Sequence, residues 1–168
     1  MNGAYSCSGC VSSKFKVGEN TITGKYVGKF EGQNVFESKL LGNIKGDYMA
    51  VTVPERGIIA AEGSLTSGEK IGRALMQHEF GHILQYRMVG ADAYWDVIAT
   101  ESFASATFTS SNAHDYFWTE TWANFLSRGY FGKKWLGESF GYPIKNISAF
   151  NMFRLNSVRL WGIMHSHY

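Results

Sequence analysis

The first third of the chain shows the alternation of polar and apolar residues that is typical of β-strands. Four segments carry this pattern: 21–30, 35–41, 47–53 and 57–60. Turn-forming residues at Glu31-Gly32-Gln33-Asn34 join the first two into a predicted hairpin. Pro54 ends the third, because proline has no N–H to donate to a sheet. We therefore predict an antiparallel sheet within a strand-rich region, 14–62.

Beyond this region the apolar residues recur at spacings of three and four, which predicts helices. The helical segments are 66–90, 94–108, 118–130 and, less regularly, 147–163. Thr66 and Glu69 fit a capping box at the start of the first helix, and Gly90 suits its end. That helix is apolar most of the way round, which indicates a central, buried position. Strands followed by helices over 66–163 favour an α+β fold in one domain, 1–168.

Charge and composition exclude several classes of partner. The 168 residues include 16 Lys and Arg against 14 Asp and Glu, a net charge of +2. This balance predicts no basic stripe for nucleic acid, and no apolar stretch is long enough to span a membrane. The first residues lack the features of a secretory signal peptide, so none is expected there, and the compartment stays open.

Cysteines and histidines near the two chain ends carry a weak signal. Cys7 and Cys10 could form a small disulfide loop or half of a metal site, but a structural zinc ion needs four ligands. No second cysteine pair exists. His165 and His167 lie near a chain end, where solvated side chains are common. We expect no part of the functional site in these segments.

The predicted central helix contains His78-Glu79-Phe80-Gly81-His82, a match to H-E-x-x-H. Residues four apart lie on one helix face, so both imidazoles can reach one cation at about 2.0–2.1 Å. Glu79 is displaced around the turn, as a general base for a nearby water would be. A chance match is expected on the order of once in a hundred such chains. The alternative is that both histidines are buried core residues without a metal ion. Burying two imidazoles together with a carboxylate costs free energy unless another group pairs with them.

A catalytic zinc ion needs a third protein ligand and an open position. The pattern H-E-x-x-H-x-x-G-x-x-H is excluded, because Gln85 and Met88 occupy its glycine and third-histidine positions. The remaining candidates are Asp92, Asp96, Glu101, His114, Asp115, Glu120 and Glu138.

Glu120 is favoured because it shares a helix face with the small or polar residues Ala123, Asn124 and Ser127. Such a face can approach the central helix closely. Asn124 could accept the second N–H of a ligand histidine and so fix its tautomer. Two alternatives remain: the face meets solvent, or Glu101 is the ligand.

The segment His78 to His82 with a glutamate on a later helix resembles the gluzincin group of zinc metallopeptidases. In that group an acidic residue follows the ligand glutamate by four positions, whereas this chain has Asn124. Over roughly 47–131 the chain also resembles metallopeptidase domains of Bacteroidetes, some of them at the C-terminal ends of polymorphic (Rhs-type) toxins. The resemblance implies a zincin-like fold, a zinc peptidase and, for a toxin, an immunity protein as partner.

Two residues shortly before the proposed ligand are candidates for a further role. His114 or Tyr116 could be placed by a loop to donate a hydrogen bond to the oxyanion that forms during hydrolysis. The alternative is a solvent-facing histidine and a packed tyrosine.

The sequence therefore predicts a zinc-dependent endopeptidase acting on a protein or peptide substrate. We expect His78, His82 and Glu120 to hold Zn²⁺ and Glu79 to act as the base. The strand before the helix would pair with an extended substrate. Two other classes remain open: a zinc hydrolase of a non-peptide amide or ester, and a catalytically silent, zinc-stabilised binding module.

Overall fold

A computed structural model describes residues 12–17, 20–45, 49–65, 69–109 and 111–137. The strands are β1 (Ser12–Val17), β2 (Asn20–Phe30), β3 (Gln33–Ser38), β4 (Ala50–Val53) and β5 (Gly57–Ala61). The helices are α1 (Lys39–Lys45), α2 (Glu69–Val89), α3 (Ala91–Ala93), a π-helical segment (Tyr94–Ala99), α4 (Thr100–Phe108), α5 (Ser111–Asp115), α6 (Trp118–Phe131) and a 3₁₀ turn (Gly132–Lys134). The predicted α+β class is confirmed.

The five strands form one mixed sheet in the order β1-β2-β3-β5-β4. The prediction of an antiparallel sheet is wrong at one place, because β3 and β5 pair in parallel, with Val35 opposite Ile58. The cause is α1, which begins at Lys39 where the sequence pattern predicted a continuing strand. A parallel pair needs a crossover connection, and α1 together with β4 supplies it. As a result, β5 of the β4–β5 hairpin lies between β3 and β4, and β4 lies at the edge of the sheet.

The sheet buries apolar side chains on both faces. On one face Phe36 and Ile59 pack with Leu41 of α1, and on the other Val35 and Ile58 pack with Met76 of α2. All five residues of β5 are buried as a result. A short apolar run without alternation is the expected sequence of such a central strand.

The predicted helices are present wherever the structure describes them. Helix α2 ends at Val89, and Gly90 follows with a φ of 82°, a value that favours glycine. The segment predicted over 94–108 is helical but begins with the π-helical segment. Residues 66–68 of the capping box, the helix predicted over 147–163, both cysteines, His165 and His167 lie outside the described residues.

Among the described residues, no helix is long and apolar enough to span a membrane.

Helices α2 and α6 touch backbone to backbone where they cross. A Cβ atom at Gly81 would overlap the carbonyl oxygen of Ala123 and lie 2.6 Å from its carbonyl carbon. Nearby, the Ser127 hydroxyl donates to the backbone oxygen of Gln77. Ala123 and Ser127 belong to the small and polar face of α6 that the sequence predicted. The close approach brings the side chains of the two helices to a common point.

Candidate metal centre

Helices α2 and α6 bring together His78, His82 and Glu120. The Nε2 atoms of both histidines lie 3.2 Å from the same oxygen, Oε2 of Glu120. The imidazole rings are perpendicular, with centroids 5.1 Å apart. One ligand atom from each of the three residues lies within 4.8 Å of the others, an arrangement that could hold a metal ion.

The distances to Glu120 suit metal ligands as well as hydrogen bonds. Bonds of about 2.0–2.1 Å to a tetrahedral ion place neighbouring ligand atoms about 3.3 Å apart. A charge-assisted N–H···O bond is shorter, at about 2.7–2.9 Å. The two separations of 3.2 Å are therefore close to those of a tetrahedral site. The three predicted ligands could therefore hold a divalent ion.

Each histidine is oriented by a side-chain amide on its other ring nitrogen. Nδ1 of His78 donates to Oδ1 of Asn124 at 2.8 Å, and Nδ1 of His82 donates to Oε1 of Gln85 at 2.8 Å. Gln85 in turn donates from Nε2 to the backbone oxygen of Thr119 at 2.7 Å, which fixes the orientation of its amide. A neutral imidazole that carries its proton on Nδ1 turns the lone pair of Nε2 towards the centre.

The predicted contact of Asn124 with a ligand histidine is therefore present, and a second amide was missed. The sequence reasoning used Gln85 only to exclude another motif. Its position three residues after His82, on the same helix face, was the available signal.

Glu120 is 3% exposed, and its two oxygens have different partners. Oε1 accepts hydrogen bonds from the hydroxyls of Ser102 at 2.6 Å and Thr119 at 2.8 Å. Oε2 is thereby turned towards the two histidines. Ser102 lies on α4, and nothing in its sequence context indicated this role.

Glu79 is also buried, at 4% exposure, and is held by the edge strand of the sheet. The hydroxyl of Thr52 on β4 lies 2.7 Å from Oε2 of Glu79 and 3.0 Å from its backbone oxygen. Thr52 was not among the predicted site residues, because a single threonine in a strand carries no chemical signal. The contact joins the predicted base to the strand that was predicted to bind substrate.

His114 lies beside the centre, whereas Tyr116 is largely exposed. Nε2 of His114 is 3.9 Å from Oε2 of Glu120, and Nδ1 is 3.2 Å from the hydroxyl of Ser105. Tyr116 is 63% exposed, in the turn before α6. The alternative of a solvent-facing histidine and a packed tyrosine does not describe these residues. Their role with an oxyanion stays a prediction.

The remaining acidic candidates do not join the three predicted ligands. Glu101 accepts a hydrogen bond from Nε1 of Trp118 at 2.5 Å, so the carboxylate that was the alternative ligand has another partner. Three aspartates have exposed side chains: Asp92, Asp96 and Asp115. Glu138 lies outside the described residues.

Nearby carboxylates raise the pKa of both histidines of the centre. Burial lowers the pKa of His78, but its hydrogen bond to Glu120 and the negative charge of Glu79 outweigh burial and raise the pKa to about 9. Burial likewise lowers the pKa of His82, and the charge of Glu120 reverses the shift and raises it. For Glu120, burial raises the pKa, but the charge of His82 and the hydrogen bond from His78 hold it well below 4.5. A bound cation would therefore displace protons.

We expect the metal-free protein to lose stability as the pH rises above neutrality. The folded pKa of His78, about 9, exceeds its ordinary value of 6.5, so its contribution is complete below pH 6.5 and disappears as the pH passes 9. Urea unfolding at pH 6.5 and 9.5 should show a fall of about 1–3 kcal/mol in the unfolding free energy. Glu120→Gln removes the partner and should flatten this slope; an equal slope in both proteins would contradict the assignment.

Comparisons with protein-family models, curated proteins and solved structures found no match to this chain.

Proposed function

We propose that the protein is a zinc-dependent endopeptidase. The proposal rests above all on the shared 3.2 Å separation of both histidine Nε2 atoms from one oxygen of Glu120. Two nitrogen ligands and one carboxylate, with room for one more ligand, are the donor set of catalytic zinc sites. A buried carboxylate directly follows the first ligand in the chain, which supports hydrolysis in particular.

We assign the residues around the centre different roles in hydrolysis. A zinc ion, when bound, would polarise the scissile carbonyl and make a water more acidic. His78, His82 and Glu120 would hold it. Glu79 takes a proton from the attacking water and delivers it to the leaving amine. Thr52 keeps the carboxylate of Glu79 in place through its 2.7 Å contact.

The edge of the sheet supports binding of an extended peptide. Among the described strands β4 has β5 as its sole neighbour, so its other edge is open to pairing by β-augmentation. The hydrogen bond from Thr52 to Glu79 sets this strand beside the base. His114, next to Glu120, is our proposed donor to the oxyanion, and its Nδ1 is held by Ser105.

The resemblance to gluzincins agrees with this arrangement of sheet edge, motif helix and later glutamate, and we extend the proposal to a zincin-like fold. The resemblance to domains of polymorphic toxins leads us to propose an antibacterial effector. An immunity protein that covers the centre would be its natural partner.

The proposal is tested by incubating the zinc-loaded protein with a degenerate peptide library and identifying new termini by mass spectrometry. We expect internal cleavage that a chelator abolishes and added zinc restores. A panel of non-peptide amides and esters, measured in parallel, separates a hydrolase of another substrate class. Tight zinc binding without cleavage of any peptide would contradict the proposal and favour the silent binding module.

A further inference from the structure

The carboxylate of Glu120 is held asymmetrically. Oε2 lies 3.2 Å from Nε2 of both His78 and His82. Oε1 instead accepts hydrogen bonds from the hydroxyls of Ser102, at 2.6 Å, and Thr119, at 2.8 Å. A carboxylate oxygen has two lone-pair sites, so these two donors occupy both sites of Oε1. Only Oε2 remains to bind a cation.

The two hydroxyl donors come from different parts of the fold. Thr119 precedes Glu120 on α6 and is fully buried. Ser102 reaches Glu120 from α4, a helix that is separate from both ligand-bearing helices. Through the hydroxyl of Ser102, a third helix therefore contributes to the orientation of the Glu120 carboxylate.

Helix α4 is fixed against α5 and α6 by the neighbours of Ser102 along the same helix. Glu101 accepts a hydrogen bond from the indole of Trp118, at 2.5 Å, and Ser105 contacts Nδ1 of His114 at 3.2 Å. The π-helical segment directly precedes α4, and its Ile98 packs against Trp122 of α6. A π-helical insertion rotates the residues that follow it around the helix axis, and such segments are frequent at functional sites.

We propose that Ser102 is a positioning residue that makes Glu120 bind the metal ion through Oε2 alone. This inference rests on the proposed function in requiring a bound ion, but it does not require that peptides be cleaved. A carboxylate that bound through both oxygens would take a second ligand position. Restricting Glu120 to one oxygen keeps that position available for water and substrate, as a catalytic site needs.

Cobalt(II) in place of zinc tests the proposal, because its visible absorption is stronger in four-coordinate than in five-coordinate sites. In Ser102→Ala, Oε1 loses a donor and can turn to the ion. We expect the absorption per bound cobalt to fall about twofold or more as the coordination number rises. Ser102→Thr keeps the hydroxyl and should restore the spectrum of the unchanged protein. Thr107→Ala, which removes a hydroxyl bonded within α4 to Phe103, is the matched control.

An unchanged spectrum in folded Ser102→Ala would overturn the proposal, as would an altered spectrum that Ser102→Thr does not restore. If Ser102→Ala fails to fold, Ser102→Cys replaces the hydroxyl with a weaker donor at similar volume and should change the spectrum in the same direction. An unchanged spectrum in that variant would then overturn the proposal. A four-coordinate cobalt spectrum in a protein that cleaves no peptide would contradict the proposed function but would not contradict this inference.

Discussion

Replacing Glu79 with glutamine is expected to lower the rate of peptide cleavage by about 10²- to 10⁴-fold, the range that a general base contributes. Glutamine has nearly the same size and can still accept the hydrogen bond from Thr52, so the fold around position 79 should persist. Its amide cannot take a proton from water. Zinc binding should be retained, because Glu79 is not among the three residues that could hold a metal ion.

The measurement compares cleavage rate and zinc content in the same preparations. Glu62→Gln is the matched control, since Glu62 is exposed and its carboxylate pairs with Lys39, the first residue of α1, at 3.7 Å. Its rate should equal that of the unchanged protein. Full cleavage by zinc-loaded Glu79→Gln would refute the role of Glu79 as the base.

Replacing Gly81 with alanine is expected to destabilise the protein by about 2–3 kcal/mol and to weaken zinc binding about tenfold. A Cβ atom there would lie 2.6 Å from the carbonyl carbon of Ala123 and 3.0 Å from its Cα. These are backbone atoms of α6, so relief requires the whole helix to move. Glu120 lies three residues before Ala123 and would move away from the histidines. Alanine favours a helix over glycine by at most about 1 kcal/mol, which is too little to offset the overlap.

Gly129→Ala is the matched control for this substitution. Gly129 also lies in a helix, α6, but a Cβ atom there would meet nothing within 4 Å. We expect it to be neutral or to stabilise the protein by up to about 1 kcal/mol. Chemical denaturation and zinc titration of both variants provide the comparison. Equal stability of the two variants would show that α2 and α6 do not cross as described.

The parts of the structure that follow from periodicity were predictable from the sequence. His78 and His82 lie four residues apart on one helix, so helical geometry alone brings them together. Glu120 could be chosen because its helix face is small and polar, and the structure places that face against α2. In both cases the information is contained in one continuous segment.

The contacts that depend on how separate elements pack were not predictable in this way. Thr52 and Ser102 reach the centre from β4 and α4, and nothing in either segment distinguishes these hydroxyls from other serines and threonines. The parallel pairing of β3 and β5 depends on α1, which the alternating pattern had extended as a strand. Local propensity does not decide such cases, because tertiary packing determines which conformation prevails.

Among the described strands, β4 lies at an edge of the sheet, and this position bears on pairing between molecules. Unpaired sheet edges invite intermolecular pairing and hence aggregation. β4 is only four residues long, and Pro54 follows it directly. A short edge limits the number of hydrogen bonds that a second molecule can form, and a proline prevents the ladder from growing further. The shortness of β4 thus limits assembly into fibrils through this edge of the sheet.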